Sequence, residues 1–251
     1  MILPARASSE PVRASGEAVG PSSEAVAASS EAVGLALVFD LDGVIVDSNR
    51  VHSAAWGEYL RRCGREKPED FDVRMFGRHN DDIVRDVFGR NLEPAEVLRH
   101  GAEKERLYRE MMGPVLRDRL VPGVESFLER HWDMPMAVAT NAEAANADFV
   151  LSVSGLGKYF RAVVNGDQVE HPKPDPEIYV RAAESLGVKP VNCIVFEDSM
   201  AGIEAARAAG ARVVVVNATH PVSEFSQVEM NVRDFLDPGL EPWLRELQSV
   251  C

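Results

Sequence analysis

The chain lacks most features that are typical of secreted, membrane-bound or zinc-finger proteins. Its three cysteines lie far apart and form no CxxC pair, which argues against a disulfide framework or a zinc site and is typical of a reducing cytosol. No apolar run approaches the ~20 residues that span a bilayer, and residues 1–13 contain no apolar segment of the kind found in signal peptides. We therefore expect a cytoplasmic protein with no membrane partner.

Basic residues are also scarce. The 27 lysines and arginines are outnumbered by 40 aspartates and glutamates, which gives a formal charge of −13. This charge disfavours nucleic acid as a partner, and an anionic substrate would need cations arranged locally around it. The apolar fraction of 45% is that of a globular protein with a sizeable core. We expect a monomer.

Residues 7–34 consist of four copies of a seven-residue repeat, of which the last reads Ala-Ser-Ser-Glu-Ala-Val-Gly. A seven-residue period is typical of coiled coils, but only alanine and valine are available as apolar contacts, and proline and glycine interrupt the seam. Such a segment buries too little apolar surface to offset the entropy lost on ordering. The sequence predicts a disordered tail over residues 1–34.

The stretch from Leu35 to Ser48 begins as an apolar run with the length of a buried strand and ends in Asp40, Asp42 and Gly43. Side chains two residues apart on an extended chain point to the same side. Both carboxylates can therefore face one small volume, and a glycine permits a sharp turn and close approach to a ligand. A polar strand end that reaches solvent is the simpler alternative.

Three later strands also end in polar residues. The strand at 136–139 precedes Thr140 and Asn141, the strand at 162–164 leads to Lys173 between two prolines, and the strand at 193–196 precedes Glu197 and Asp198. Asn141 could instead cap the next helix, as Ser199 is expected to do. Strands that alternate with helices predict an α/β fold with a Rossmann-like, doubly wound parallel sheet. Ligands bind at the carboxyl ends of such strands. Because four acids cannot share a small site unpaired, a hard dication such as Mg²⁺ is expected.

The pattern predicts a helix over residues 49–63 and further helices from about 68 to 112, which interrupt the alternation just after the first strand. We therefore expect an inserted helical cap domain, residues 50–116, over a core of residues 35–49 and 117–251. In its first helix His52 and Trp56 are four residues apart and share a face. They either pack structurally or line a substrate cleft, and the two interpretations are equally supported. Arg78 lies in a loop that could be a solvated turn, but it is also the best cap candidate for binding an anion.

The run from Phe39 to Ser48 resembles the first motif of the haloacid dehalogenase superfamily, and Thr140, Lys173 and Glu197-Asp198 are similar to its second, third and fourth motifs. The resemblance covers roughly residues 35–220 and is strongest to the branch that contains β-phosphoglucomutase-like proteins and phosphatases. It implies the same Rossmann-like α/β core that the strand pattern predicts, with a helical cap domain inserted in it.

The resemblance also implies roles for these residues. Asp40 is the nucleophile that forms an aspartyl-phosphate, and Asp42 is the general acid and base, whose backbone carbonyl also binds the metal. Asp198 and Glu197 complete the metal site, and the Thr140 hydroxyl and Lys173 bind the phosphoryl group. Gly43, Asn141, His52, Trp56 and Arg78 are candidate substrate-binding residues.

The leading hypothesis is a Mg²⁺-dependent phosphatase that acts on a small phosphorylated metabolite. A phosphohexomutase is the first alternative, since His52 and Trp56 match that branch. Asn80 and Glu143, however, stand near the positions where mutases carry an arginine and a lysine for the second phosphate. A catalytically idle binding protein is a further alternative.

Overall fold

The computed structural model describes residues 34–75, 78–216 and 228–250. The predicted disordered tail lies outside the described residues, apart from residue 34. None of the helices in the described part of the chain combines the length and apolar composition that a bilayer crossing requires.

Six strands form one sheet in the order β3-β2-β1-β4-β5-β6, and each strand is parallel to its neighbours. The strands are β1 (Ala36–Phe39), β2 (Met136–Ala139), β3 (Ala162–Val164), β4 (Cys193–Glu197), β5 (Arg212–Val216) and β6 (Met230–Val232). The described helices are α1 (Asn49–Arg62), α2 (Phe71–Met75), α3 (Asn80–Phe88), α4 (Pro94–Met112), α5 (Val124–Arg130), α6 (Ala144–Ser154), α7 (Glu177–Ser185), α8 (Met200–Ala208) and α9 (Leu240–Val250). The predicted doubly wound parallel sheet is confirmed.

The two faces of the sheet bury different side chains because strand residues alternate in direction. Leu37 and Phe39 of β1 belong to the larger apolar cluster, where the rings of Phe39 and Phe196 stack with centroids 4.8 Å apart. Ala36 and Val38 face the opposite cluster together with residues of α7 and α8. Burial on both faces explains why β1 is continuously apolar.

An all-helical segment, α1 to α4, lies between β1 and β2 in sequence, and α4 packs against both α1 and α3. Trp56 and Leu60 of α1 and Tyr108 and Met112 of α4 are fully buried in this packing. All described residues, including these helices, belong to one compact unit of the chain. The residue limits of cap and core remain predictions.

One predicted helix cap is confirmed and one is wrong. The Ser199 hydroxyl accepts a hydrogen bond from the backbone N–H of Gly202 at 3.1 Å and caps α8. Asn141 does not cap α6, whose N-cap is Glu143. The side chain of Asn141 instead accepts a hydrogen bond from the backbone N–H of Lys173 at 3.1 Å. The helix therefore begins two residues later than that alternative requires, and Asn141 instead stabilises the loop that contains Lys173.

Candidate active site

The polar residues that follow the central strands converge at one edge of the sheet. Asp40 follows β1, Thr140 follows β2 and Asp198 follows β4, and β1 lies between the other two strands. All three residues are buried. The loop after β3 adds Lys173 to the same place, so the structure brings together residues that are up to 158 positions apart in the sequence.

Lys173 is the central cation of this group. Its Nζ donates to Asp40 Oδ1 at 2.6 Å, to Glu197 Oε1 at 2.6 Å and to the backbone carbonyl of Ala139 at 3.0 Å. Burial works to lower the pKa of this lysine, but the charges of the two carboxylates more than offset it and raise the pKa above its ordinary value. Lys173 is therefore charged and fixed in position beside Asp40.

Glu197, whose Oε1 accepts from Lys173, is itself held in place by further hydrogen bonds. Its Oε1 also accepts a hydrogen bond from the Tyr179 hydroxyl at 2.7 Å. Its Oε2 accepts from the backbone N–H groups of Asp198 and Ser199 at 2.8 and 3.0 Å and from the Ser199 hydroxyl at 3.1 Å. The residue is completely buried. Both oxygens of Glu197 thus already have protein donors, which is the environment of a positioning residue.

The carboxylates of Asp198 and Glu197 occupy positions where a side chain on Gly43 or Gly202 would otherwise lie. Gly43 has φ +87°, and a Cβ added there would lie 1.8 Å from Asp198 Oδ2. A Cβ on Gly202 would lie 1.6 Å from Glu197 Oε1. Any larger residue at either position must displace a buried carboxylate. Gly43 therefore has a packing role beside its predicted contact with substrate.

When ionised, the clustered carboxyl groups of the site carry more negative charge than Lys173 can balance. Burial, and after it the charges of Glu197 and Asp42, raise the pKa of Asp40 to about 8 despite the opposing charge of Lys173. Burial and the charges of Glu197 and Asp40 likewise raise the pKa of Asp198 well above its usual range. Such a set of oxygen donors fits a hard divalent cation. No three histidine, cysteine, aspartate or glutamate side chains in the described ranges form a ready-made metal cluster.

Asp42 differs from Asp40 and Asp198 in the direction of its pKa shift. Its Oδ1 accepts a hydrogen bond from the Ser48 hydroxyl at 2.5 Å and lies 3.5 Å from His52 Nε2. Burial would raise the pKa of Asp42, but the hydrogen bonds from His52 and Ser48 and the charge of His52 hold it below its ordinary value. A general acid that holds a proton at neutral pH needs a raised pKa, whereas the pKa of Asp42 in the free site is lowered.

Two buried charged residues of α4 border the site but are not among the candidates that the sequence indicates. Lys104 and Glu105 are only 2% and 5% exposed. Lys104 Nζ donates to Glu105 Oε1 at 2.7 Å and lies 2.8 Å from His52 Nδ1. The spacing of Gly101, Lys104 and Tyr108 follows the buried stripe of the helix and was the signal available.

The same helix is tied to α6 of the core. Asn146 Nδ2 donates to Glu105 Oε2 at 2.7 Å, and Arg109 Nη1 donates to Asn146 Oδ1 at 2.6 Å and to Glu143. We call these four residues the α4–α6 bridge. It joins the cap side of the site to the core side through buried and half-buried polar contacts.

A cavity of about 320 Å³ opens between the strand ends and the cap helices. The predicted residues Asp40, Asp42, Thr140, Lys173 and Asp198 line its floor, and His52, Trp56 and Arg78 line its other walls. Asn141 also borders it, and its Nδ2 is buried with no hydrogen-bond partner in the described part of the chain. Arg78 lies at the rim, where Nη1 donates to Asp86 Oδ2 at 2.7 Å. All the predicted cap residues therefore border the same cavity.

The raised pKa values predict how stability depends on pH without metal. The native chain keeps a proton on Asp40 up to a pH of about 8, whereas the unfolded chain releases it near 3.8. In EDTA, the free energy of unfolding should fall as pH rises through this window, by about 1.4 kcal/mol per pH unit for each such carboxyl. Asp42 and Glu197, whose pKa values are lowered, lose their contributions only below their unfolded values of 3.8 and 4.5.

Urea unfolding between pH 5 and pH 8 in EDTA measures this slope. Asp40→Asn should make it shallower, and millimolar Mg²⁺ should flatten it. A free energy of unfolding that stays constant or rises with pH in EDTA would contradict the electrostatic description of the site.

The comparisons with known proteins agree with this geometry. The family model for haloacid dehalogenase-like hydrolases matches residues 35–210. The chain is 36% identical to fructose-1-phosphate phosphatase YqaB of Escherichia coli over 182 residues, which is 72% of this chain and 95% of that protein. It is 35% identical to a phosphorylated carbohydrates phosphatase of Thermotoga maritima, covering 70% of this chain and 81% of that one.

Among solved structures, β-phosphoglucomutase from Clostridium difficile superimposes with a TM-score of 0.75 at 25% identity, covering 85% of this chain and 96% of that chain. Residues 35–210, the span that the family model matches, contain the polar site residues that follow all four strands. The predicted family is confirmed: this chain is an enzyme of the haloacid dehalogenase-like hydrolase family.

Proposed function

We propose that the protein is a Mg²⁺-dependent phosphatase that hydrolyses a small phosphorylated sugar through an aspartyl-phosphate on Asp40. The observation that carries this proposal is the buried contact between Asp40 and Lys173 at the floor of a cavity whose walls come from both core and cap. The relatives named as phosphatases of fructose 1-phosphate and of phosphorylated carbohydrates support the substrate class.

The reaction divides into two displacements at phosphorus. In the first, a carboxylate oxygen of Asp40 attacks the phosphoryl group, the ester P–O bond breaks, and Asp42 delivers a proton to the departing oxygen. In the second, Asp42 takes a proton from water as that water attacks the phosphorus, which releases inorganic phosphate and restores the Asp40 carboxylate. The negative charge of a bound phosphoryl group raises the pKa of Asp42, because like charges disfavour ionisation. It thereby prepares Asp42 to hold the proton that the first step needs.

Three donors are placed to hold the phosphoryl oxygens. Lys173 supplies a fixed positive charge, and Asn141 Nδ2, which has no hydrogen-bond partner among the described residues, supplies an N–H. The Thr140 hydroxyl, which accepts a hydrogen bond from the Ala142 N–H at 3.1 Å, can donate its own hydrogen. Donors fixed before the reaction stabilise charge that develops in the transition state.

The metal would be held by the carboxylates of Asp40 and Asp198 and the backbone carbonyl of Asp42. Bound there, Mg²⁺ neutralises charge on the phosphoryl oxygens. This set contains only two acid side chains, so it does not require a cluster of three. We assign Glu197 a different role from the predicted ligand: it positions Lys173 and the loop of Asp198, since its two oxygens already accept five hydrogen bonds.

Hydrolysis of p-nitrophenyl phosphate and of sugar monophosphates by the full-length protein tests the function. Turnover should require Mg²⁺, disappear in EDTA, and return when Mg²⁺ is added in excess of the chelator. An exposed-site control, Asp148→Asn on α6, should behave as wild type in each condition. Turnover that persists unchanged after metal removal would overturn the metal-dependent mechanism.

A second experiment separates a phosphatase from a phosphomutase, a class in which His52 and Trp56 would also be expected. A mutase must hold a second phosphate, but Arg78 already pairs with Asp86 and Glu143 with Arg109. With β-glucose 1-phosphate and a bisphosphate primer, phosphorus NMR should therefore show free phosphate accumulating faster than glucose 6-phosphate. Conversion to glucose 6-phosphate with little free phosphate would identify a mutase instead.

A further inference from the structure

The loops that follow β2 and β3 leave the sheet side by side and contact each other. The two strands are parallel neighbours, and the backbone N–H of Thr140 donates to the carbonyl of Val164 at 3.0 Å. Residues 140–143, which we call the β2 loop, contain Thr140 and Asn141, the two uncharged donors of the proposed site. Residues 165–168, which we call the β3 turn, supply no group to the proposed reaction, so their contacts with the β2 loop need another explanation.

The β3 turn is held in one shape by its own hydrogen bonds. Asn165 Oδ1 accepts from the backbone N–H of Asp167 at 3.1 Å, and the backbone N–H of Asn165 donates to Gln168 Oε1 at 3.0 Å. These reciprocal bonds form a capping box. Asn165 is also buried. The β3 turn is therefore a fixed surface against which the neighbouring loop can pack.

Gly166 brings the β3 turn into direct contact with the backbone of the β2 loop. Its N–H donates to the carbonyl of Ala142 at 2.9 Å. A Cβ on Gly166 would lie 2.5 Å from the carbonyl oxygen of Asn141 and 3.3 Å from that of Ala142. These are backbone atoms, which cannot turn aside as the end of a flexible side chain can. The φ of Gly166 is outside the left-handed region, so a larger residue is opposed there by lack of space and not by backbone conformation.

Asp167 makes a second contact, at the other end of the β2 loop. Its Oδ2 accepts from the backbone N–H of Ala144, the first residue of α6, at 2.8 Å. The N-cap residue Glu143 makes no capping hydrogen bond with its own side chain, which pairs with Arg109 instead. The β3 turn therefore supplies the helix cap that the β2 loop does not supply itself.

The contacts of the β3 turn adjoin both uncharged donors. Ala142, which accepts from Gly166, uses its own N–H to bond Thr140 Oγ1 at 3.1 Å. The carbonyl of Asn141 lies against Gly166, and its Oδ1 accepts from the backbone N–H of Lys173. The ammonium group of Lys173 is fixed separately by two buried carboxylates. A displaced Asn141–Ala142 peptide would therefore shift both donors relative to the lysine.

We infer that the β3 turn is a positioning element for phosphoryl binding, and that Gly166 is its closest contact with the β2 loop. The turn acts through that loop, because it determines where Thr140 and Asn141 lie beside Lys173. This inference rests on the proposed function and extends it to a turn that contains no reacting group. A displacement of about 1 Å in a binding group can cost about 100-fold in rate, so the close fit of turn and loop should matter for turnover.

Gly166→Ala tests the closest contact. With p-nitrophenyl phosphate in saturating Mg²⁺, kcat/KM should fall by about 100-fold. The dissociation constant of inorganic phosphate, measured by titration calorimetry, should rise by about tenfold. The Mg²⁺ concentration for half-maximal activity should not change, because the proposed metal ligands follow β1 and β4. Gly157→Ala is the matched control and should behave as wild type, since a Cβ there meets nothing nearer than Leu151 Cβ at 3.6 Å.

Two variants of Asp167 test the turn without a steric change at the glycine, and they decide the test if Gly166→Ala does not fold. Asp167→Asn and Asp167→Ala both remove the negative charge, but only asparagine keeps an oxygen that can accept from Ala144. The kcat/KM of Asp167→Asn should therefore exceed that of Asp167→Ala by about fivefold. Asp167→Asn should also bind inorganic phosphate more tightly than Asp167→Ala.

The outcomes separate this inference from the proposed function. Equal kcat/KM and equal phosphate affinity in Gly166→Ala and Gly157→Ala, or in the two Asp167 variants, would overturn the positioning role. A loss in Gly166→Ala that includes weaker activation by Mg²⁺ would show a general disturbance of the site and would overturn it too. If the wild type hydrolyses no phosphate ester, the proposed function fails. Phosphate binding then decides the inference: weaker binding to Gly166→Ala than to wild type supports it, and equal or absent binding overturns it.

Discussion

Asp40→Asn is expected to lower hydrolysis of any phosphate ester by about 10⁴-fold or more, because an amide cannot attack phosphorus and the covalent route is lost. The loss should appear in kcat, since the groups that bind the substrate remain. Steady-state assays with p-nitrophenyl phosphate in saturating Mg²⁺ measure it, and Asp148→Asn serves as the control for the same change of chemistry at the surface.

The inactive variant should also be more stable than wild type without metal. The raised pKa of Asp40 means that its surroundings disfavour the charged form, mainly through burial. Asparagine has nearly the same shape, can still accept from Lys173, and carries no charge to bury. We therefore expect a higher melting temperature in EDTA at pH 8. An inactive variant that melts lower than wild type there would show that the Asp40 charge stabilises the fold, contrary to this account.

Lys173→Met should damage both folding and catalysis. It removes the lysine that bonds both Asp40 and Glu197, and breaking a buried ion pair from one side typically costs about 3–5 kcal/mol. Turnover should fall by about 10³-fold in whatever fraction remains folded, because a fixed cation beside the phosphoryl group is lost. Urea unfolding and p-nitrophenyl phosphate assays measure the two effects.

The destabilisation by Lys173→Met should be largest at high pH and shrink towards pH 5, where the abandoned carboxyls bind protons. The control is Lys189→Met, which removes an exposed lysine from the loop before β4. Equal destabilisation by the two variants, or a loss in Lys173→Met that does not vary with pH, would show that Lys173 is not the charge balance of the site.

The fold was predictable because the strands and most of the helices have clear sequence signals. The strands at 136–139 and 162–164 were predicted with the bounds that the structure has. Apolar runs of four or five residues that end in polar groups leave few alternatives in an α/β pattern. The short β6 at the sheet edge and the helix α5 were not predicted, since neither has an apolar run or cap signal of comparable strength.

The cap side of the site was less predictable because its contacts join distant residues. Lys104 looks like one of many surface charges on α4 until His52, 52 positions earlier, is placed beside it. Glu197 matches a family position, but only the geometry shows its oxygens occupied by Lys173, Tyr179 and the following loop. Hydrogen-bond partners of this kind depend on the packing of whole elements, which a single sequence does not specify.

The α4–α6 bridge has a consequence for remodelling this enzyme. The helices that carry Trp56, Asn80 and Lys104 form one contiguous stretch between two strands, so a cap from a relative could be grafted as a single module to change which compound is accepted. A graft that brings its own α4 would abandon Asn146 and Glu143, whose partners Glu105 and Arg109 belong to the removed helix. The minimal transplant is therefore not one segment but two, the cap helices together with the first turn of α6.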